Sequence, residues 1–231
     1  MASKILTNIE LYHALSKNII GNKISLVNDE FKHAVKVMRN KVGDTIYITN
    51  GTGSIFECEL TKIERDNLTA RILEESKSEN RLENIFFCIP KLKNPDRFKF
   101  ALEKCVELGI VNFIIYESER TVSKGTNLKR WNKIALSAMK QSLSSFKPNI
   151  QTDTSLVDIA NFNGEKILFE QNADKVFQFQ NKENNNYYFL FGPEGGLADN
   201  ELMLFEKESL CSLGDSRLRT ETAIIKVASL L

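Results

Sequence analysis

The sequence predicts an α/β protein in two parts: a small β-barrel over residues 1–75, then a parallel sheet covered by helices over residues 76–231. Three observations carry this reading. The stretch "EESKSENRLEN" (Glu74 to Asn84) is charged and polar, with Leu82 its one large apolar residue, and so has the composition of a linker. Before it the pattern is short and β-like; after it apolar strands alternate with amphipathic helices. Two of the later strands run directly into glycine-bearing loops, "FGPEGGLADNEL" (Phe191 to Leu202) and "SLGDSRLRTETA" (Ser212 to Ala223).

In chain order, "KISL" (Lys23 to Leu26) reads as a strand. It precedes a short helix that Asn28 or Asp29 would cap, with Phe31, Ala34, Val35 and Met38 on one face. "DTIYIT" and "SIFECEL" flank "NGTG" (Asn50 to Gly53), a hairpin signal, and "LTARIL" follows a second polar turn at "ERDN". Beyond the linker, "IFFCIP" is a buried strand. "NPDRFKFALEKCVELG" is a helix with Pro95 in its first turn and Gly109 at its end. "VNFIIY" is a strand and "NLKRWNKIALSAMKQSL" a helix. "KILFE" and "YYFLF" are strands, a helix starts near Asp199, and "LCSLG" and "TETAIIKVASLL" finish the chain. Strand–helix alternation of this kind gives a parallel sheet, and such sheets bind ligands at the carboxyl ends of their strands.

Composition narrows the function classes. With 42% hydrophobic and 26% charged residues, the chain is an ordinary globular protein with no stretch approaching a membrane span. The start "MASKILTNIELY" lacks the apolar run of a signal peptide, so a cytoplasmic location is expected. Cys58, Cys88, Cys105 and Cys211 form no CxxC pair and read as buried reduced thiols. With His13 and His33 as its two histidines, the chain offers no His-rich metal site, and no metal is expected. His33 reads as a packing or hydrogen-bonding residue of its short helix. The net charge of +1 hides an asymmetry: residues 77–147 hold fourteen basic against seven acidic side chains (net +7), and residues 148–231 hold seven against thirteen (net −6). One reading is a basic surface for nucleic acid; the other is a set of solvated helix faces.

Neither glycine loop is a phosphate loop. No Lys-Ser or Lys-Thr follows "GPEGG", and its spacing is wrong for a dinucleotide fingerprint, which excludes a nucleotide-dependent kinase or dehydrogenase. Pro193 stiffens the turn and removes a donor. A strand-to-helix turn capped by Asp199 would account for some of these residues, but three glycines suggest that something lies against bare backbone. In the second loop Thr220 would cap the last helix and Glu221 would lie in its first turn. Arg217 and Arg219 sit near the positive end of that helix dipole, where cations are disfavoured, which suggests a carboxylate or phosphate partner.

Together these loops resemble those of the RsmE family of 16S ribosomal RNA uridine-N3 methyltransferases, within the SPOUT superfamily. The resemblance covers nearly the whole chain: "HAVKVMRNKVGDTIYITNGTG" (His33 to Gly53) looks like the family's PUA-like barrel, and "KLKNPDRFKFALEKCVELGI", "SERTV" and "RWNKIALSAMKQS" match its further motifs. It implies a SPOUT fold with a C-terminal deep trefoil knot, a homodimer, and S-adenosyl-L-methionine held in a bent shape by the knot loops. By the same resemblance the cofactor contacts come from Leu168, Phe169 and Glu170, from Phe191, Gly192, Pro193, Gly195 and Gly196, and from Leu213, Gly214, Leu218 and Thr220. The apolar stripe of Ala223, Ile224, Val227, Ala228 and Leu231 would then serve either internal packing or dimer contact.

Methylating uridine N3 requires an exposed base, in-line alignment and removal of the N3 proton. Arg219 is the candidate for stabilising charge on the uracil oxygens or gripping the target phosphate. Glu194 and Glu221 are the candidate proton acceptors, either of which an arginine could instead hold structurally. The implied partner is 16S rRNA in the small ribosomal subunit. Lys36, Arg39 and Lys41 in the first domain, and Lys91, Lys93, Arg97, Arg120, Lys124 and Gln141 in the second, are the candidate RNA contacts. One departure stands out: the family's Gln-x-x-Arg is here "QSLS", with Gln141 present but Ser144 in the arginine position and Lys147 nearby. Two other readings stay open, a SPOUT methyltransferase of different RNA specificity and a non-catalytic RNA-binding or ribosome-assembly protein.

Overall fold

A computed structural model describes residues 9–123, 125–182 and 184–231. The chain divides into two compact units, one comprising the residues up to Asn80 with Met139–Lys147, the other Arg81–Ala138 with Pro148–Leu231.

The first unit is built from β1 (Leu11–His13), β2 (Ile19–Ile20), β3 (Lys23–Val27), the short helix α1 (Asn28–Lys32), β4 (Thr45–Thr49), β5 (Ser54–Ile63) and β6 (Asn67–Lys77). One sheet joins them in the order β1-β4-β5-β6-β3-β2, antiparallel except where β1 lies parallel to β4. Side chains alternate across the sheet with period two, so Phe56, Cys58 and Leu60 of β5 face inward with Ile24, Leu26, Ile46, Ile48, Leu68 and Ala70. Register shifts at Glu57/Cys58 and Leu60/Lys62 bend the long pair β5–β6. This pair reaches Lys77, so Glu74 to Lys77, expected to be linker, are strand.

The helix expected to be capped by Asn28 or Asp29 has Val27 at its N-cap and no side-chain cap bond; Asn28 itself has φ of 53°. It passes into a π-helical turn, His33–Val37, that leaves Met38 exposed while Phe31 and Ala34 enter the core. His33 pairs with Glu10 at 3.5 Å and packs edge-on against Tyr12, as a structural histidine would.

The "NGTG" turn does more than reverse the chain. Asn50 Oδ1 accepts from the Thr52 and Ser54 amides, and the segment after the end of helix α3 (Leu128–Gln141) docks against it, with Gly53 N–H donating to Ser145 O and Lys147 N–H to Gly51 O. Gly51 and Gly53 have φ of 75° and 107°, and a Cβ on Gly51 would sit 2.9 Å from Lys147 Cβ.

In the second unit the order along the chain is β7 (Ile85–Pro90), α2 (Pro95–Glu107), β8 (Asn112–Tyr116), α3, β9 (Asn149–Gln151), α4 (Leu156–Asn161), β10 (Glu165–Phe169), β11 (Tyr187–Phe191), α5 (Asp199–Leu202), β12 (Leu210–Cys211) and α6 (Thr220–Ala228). All strand pairs are parallel and the sheet order is β12-β10-β11-β7-β8-β9. From β7 the chain builds outward in one direction to β9. It then crosses to β10 and comes back to insert β11 between β10 and β7. The sheet thus reverses its winding at β7/β11, and a crevice opens at the carboxyl ends of strands flanking such a point.

As expected, α2 carries Pro95 at N1 and is followed by Gly109 at φ 93°. Asn94 caps it by accepting from the Asp96 and Arg97 amides. One face of α2, with Phe98, Ala101, Leu102, Cys105 and Val106, is buried. Under the sheet's carboxyl edge Phe87, Phe169, Phe189 and Phe191 interlock with centroids 4.9–6.0 Å apart, a rigid base beneath the loops above it.

Candidate functional site

The loops after β10, β11 and β12 meet in one cleft of about 900 Å³. Phe169 and Phe191 form its aromatic floor, stacked at 4.9 Å and 20°. Of the residues named from sequence as cofactor contacts, Phe169, Glu170, Phe191, Gly192, Pro193, Gly195, Gly196, Leu213, Gly214, Leu218 and Thr220 all line it. Leu168 does not: on β10 it faces the opposite side of the sheet, among the buried residues packed with Cys88, Ile114 and Leu190.

The glycine loop is held from several directions. Tyr116 of β8 donates its hydroxyl to Phe191 O at 2.5 Å; the phenol is fully buried, and burial pushes its pKa well up, so it stays a donor. Thr220 Oγ1 donates to Gly192 O at 3.1 Å. Thr220 was expected to cap α6, but Arg219 occupies the N-cap without a side-chain cap bond and the Thr220 hydroxyl instead ties the two glycine loops together. Likewise Asp199 does not cap α5: Ala198 is its N-cap, and Glu201 Oε2 accepts the Ala198 amide. Lys226 reaches back to Leu213 O at 2.7 Å, and Gly214 turns with φ of 116°.

Gly192 and Gly195 invite a ligand reading. Neither has a positive φ, and a Cβ on either would meet protein atoms at 3.6 Å, an ordinary contact. The protein's own packing and backbone do not demand glycine there, yet both face the cleft.

The charged groups divide into bound and open. Arg217 and Arg219 line the cleft, are exposed, and have no ion pair among the described residues. Glu194 also lines it, and its Oε1 accepts the Lys93 amide at 3.0 Å. Glu221 is buried outside the lining, with Oε1 3.5 Å from Arg97 Nε and Oε2 lacking any partner among the described residues. Arg97 and Glu194 also border a second cavity of about 540 Å³, formed with Lys93, Asn94, Pro95 and Asp96.

The basic residues expected to touch RNA fall into distinct settings. Lys36, Arg39 and Lys41 are exposed on the first unit beside Val37, Met38 and Val42, with Arg39 at φ 59°. Gln141 is exposed at the end of α3. On the second unit Lys93 is exposed and Arg97 partly so. Lys91 is not an open contact: it is 7% exposed, with Nζ 2.5 Å from Glu117 Oε1 and 3.2 Å from Thr126 Oγ1. Arg120 is engaged too, donating to Gly195 O and Leu197 O. Lys124 lies outside the described residues. Gln171, Asn172, Ser216 and Ala223 line the cleft without having been singled out. The signal that could have found the first two is a polar pair directly after an apolar strand.

Comparison with known proteins accounts for this arrangement. Residues 78–231 match the model of an RNA methyltransferase domain, and residues 26–73 that of an RNA methyltransferase PUA domain. The ribosomal RNA small subunit methyltransferase E of Rickettsia conorii is 28% identical over 214 residues, spanning 89% of this chain and 87% of the relative. The enzyme of the same name from Bacillus subtilis is 28% identical over 218 residues, spanning 86% and 85%. The crystal structure of ribosomal RNA small subunit methyltransferase E from Neisseria gonorrhoeae, bound to S-adenosyl methionine, superposes with a TM-score of 0.84 at 26% identity, covering 96% of this chain and 95% of that one. With a glycine-walled cleft at the winding reversal of its parallel sheet and a family match over well more than half its length, the chain belongs to the RNA methyltransferase family.

Proposed function

We propose that the protein transfers a methyl group from S-adenosyl-L-methionine to N3 of a uridine in 16S rRNA of the small ribosomal subunit, as a cytoplasmic homodimer. The observation that carries this reading is the cleft itself. Its size falls in the range of about 300–1,000 Å³ usual for cofactor sites, and its wall includes two glycines that internal packing leaves unexplained. Those features fit a bent nucleoside cofactor lying against the loops after β10, β11 and β12. The insertion of β11 between two strands already laid down supports a chain that threads a deep trefoil knot there. Residues 1–75 act as the PUA-like RNA-binding domain and residues 76–231 as the transferase domain.

When bound, the cofactor supplies an activated sulfonium methyl. The protein's own residues do the rest. Main-chain groups of Gly192 to Gly196 and Leu213 to Thr220 fix the cofactor, and the Phe169–Phe191 floor excludes water beneath it. Arg219, exposed and unpaired in the cleft, stabilises negative charge developing on the uracil oxygens. Glu194 accepts the N3 proton directly or through a water, since its carboxylate faces the cleft. Glu221 is the weaker candidate for that role, being buried and paired with Arg97. Lys36, Arg39, Lys41, Lys93, Arg97 and Gln141 contact the RNA.

The test is transfer from labelled S-adenosylmethionine to small subunits lacking the modification, followed by nucleoside mass spectrometry. N3-methyluridine is the expected product. Arg219→Ala is expected to lower the transfer rate about 100-fold while cofactor affinity changes little. A different methylated nucleoside would overturn the specificity, and failure to bind the cofactor would overturn the enzyme reading.

A further inference from the structure

We propose that Arg120 is a positioning residue for the cofactor wall: its guanidinium latches the glycine loop into shape, rather than serving as an RNA phosphate contact. The inference rests on the reading that the cleft holds S-adenosyl-L-methionine.

Arg120 lies in the connection after β8, far in sequence from the loop it touches. Its Nη1 donates to Gly195 O at 3.0 Å and to Leu197 O at 3.2 Å. The stem packs as well, since the Cβ position of Gly195 is 3.6 Å from Arg120 Cβ. The peptides that Arg120 grips are also held at their other ends. The Gly196 amide donates to Pro193 O at 2.9 Å, and the Ala198 amide to Glu201 Oε2 at 2.8 Å. Glu201 closes the circuit, because its Oε1 accepts the amide of Glu119, the residue beside Arg120. Asn200 Nδ2 adds a donation to Glu119 Oε2 at 3.3 Å.

A two-residue segment, Glu119–Arg120, is thus bonded to the loop at Gly195, Leu197, Asn200 and Glu201. Both peptide planes around the αL turn at Gly196 (φ 71°) are fixed in orientation. A fork donor suits this task. One nitrogen reaches two carbonyls two residues apart, while the point charge of an ammonium on a flexible stem holds such a pair less well. Preorganised main-chain groups bind a ligand without an ordering cost on binding, so releasing the latch weakens the site without removing any ligand contact.

The experiment uses the full-length protein with Arg120→Ala and Arg120→Lys, and Lys93→Ala as a comparison for an open rim cation. Three quantities are read: S-adenosylmethionine affinity by calorimetry, affinity and salt dependence for a small-subunit rRNA fragment, and amide exchange over residues 192–201. Arg120→Ala is expected to weaken cofactor binding about tenfold, as loss of charge-assisted bonds predicts, and to speed exchange in the loop. RNA affinity and its salt slope stay within about twofold of the wild type, and Arg120→Lys recovers part of the cofactor affinity. Unchanged cofactor binding and exchange, with weaker RNA binding and a salt slope smaller by about one, would make Arg120 a phosphate contact and overturn the proposal. No change in any of the three would overturn it as well. If the wild type does not bind S-adenosylmethionine, the cofactor reading fails, yet the exchange measurement still decides the latch. Circular dichroism and melting of each variant separate local release from global unfolding.

Discussion

The two six-stranded sheets of this protein contrast in a way that explains where its chemistry lies. In the first, β4, β5 and β6 are neighbours in sequence and pair antiparallel, so their connections alternate between the two ends of the sheet. Polar turns are scattered and no end collects them. In the second, every strand is parallel, so all the strand-to-helix loops leave from one edge. Glycine serves each sheet differently. In the first unit Gly51 and Gly53 admit protein, the docked segment around Phe146 and Lys147. In the second, Gly192 and Gly195 border open space in a cleft. The same residue type marks internal closure in one unit and a ligand wall in the other.

Substitutions should separate these uses, and the largest effect is expected at Gly195. Valine there needs no forbidden backbone angle, so the fold should survive. The added bulk occupies the cleft, and calorimetry should show cofactor affinity falling by about 100-fold, the scale of overpacking a fitted site. A normal affinity would mean that the wall is not where the ligand lies. Gly51→Ala is the mirror experiment: at φ 75° with a 2.9 Å clash, it should destabilise the first unit by about 1–3 kcal/mol in denaturant titration and leave cofactor affinity alone.

Thr220→Ala probes the tie between the two glycine loops. Loss of one hydroxyl bond to Gly192 O should weaken cofactor binding only a few-fold, at about 1 kcal/mol, with little change in melting. The smallest effect belongs to His13. Burial, with Lys147 adding to it, lowers its pKa below the ordinary value of about 6.5. The unfolded chain therefore takes up a proton that the folded chain resists. Stability from this group is full above about pH 6.5 and is lost as pH falls toward the folded value. Denaturant midpoints between pH 7.5 and 5.5 should drop more for the wild type than for His13→Gln.

Legibility followed the length and locality of each signal. The α2 helix was readable because Asn94, Pro95 and Gly109 mark its ends and an apolar face repeats between them. The strands β1, β2 and β9 span three, two and three residues, too few to establish a period of two, and they passed unseen. The caps were misplaced where a side chain had a better partner than its own helix: Thr220 takes Gly192 O, and Glu201 rather than Asp199 serves α5. Lys91 and Arg120 looked like free cations because nothing local reveals Glu117 beside one or two loop carbonyls beside the other.

The sequence by itself determined the strand–helix rhythm, the turn chemistry, the two glycine loops and, through their motifs, the family. These depend on nearest neighbours along the chain and on residue type. Only the tertiary structure decided that β11 inserts between β10 and β7, that the loops after β10, β11 and β12 close on one cleft, and which charges stay open within it. Strand order and ion pairing are set by contacts between residues up to about a hundred positions apart, such as Lys93 with Glu194, and hydrophobic periodicity carries no record of which distant partner completes a bond.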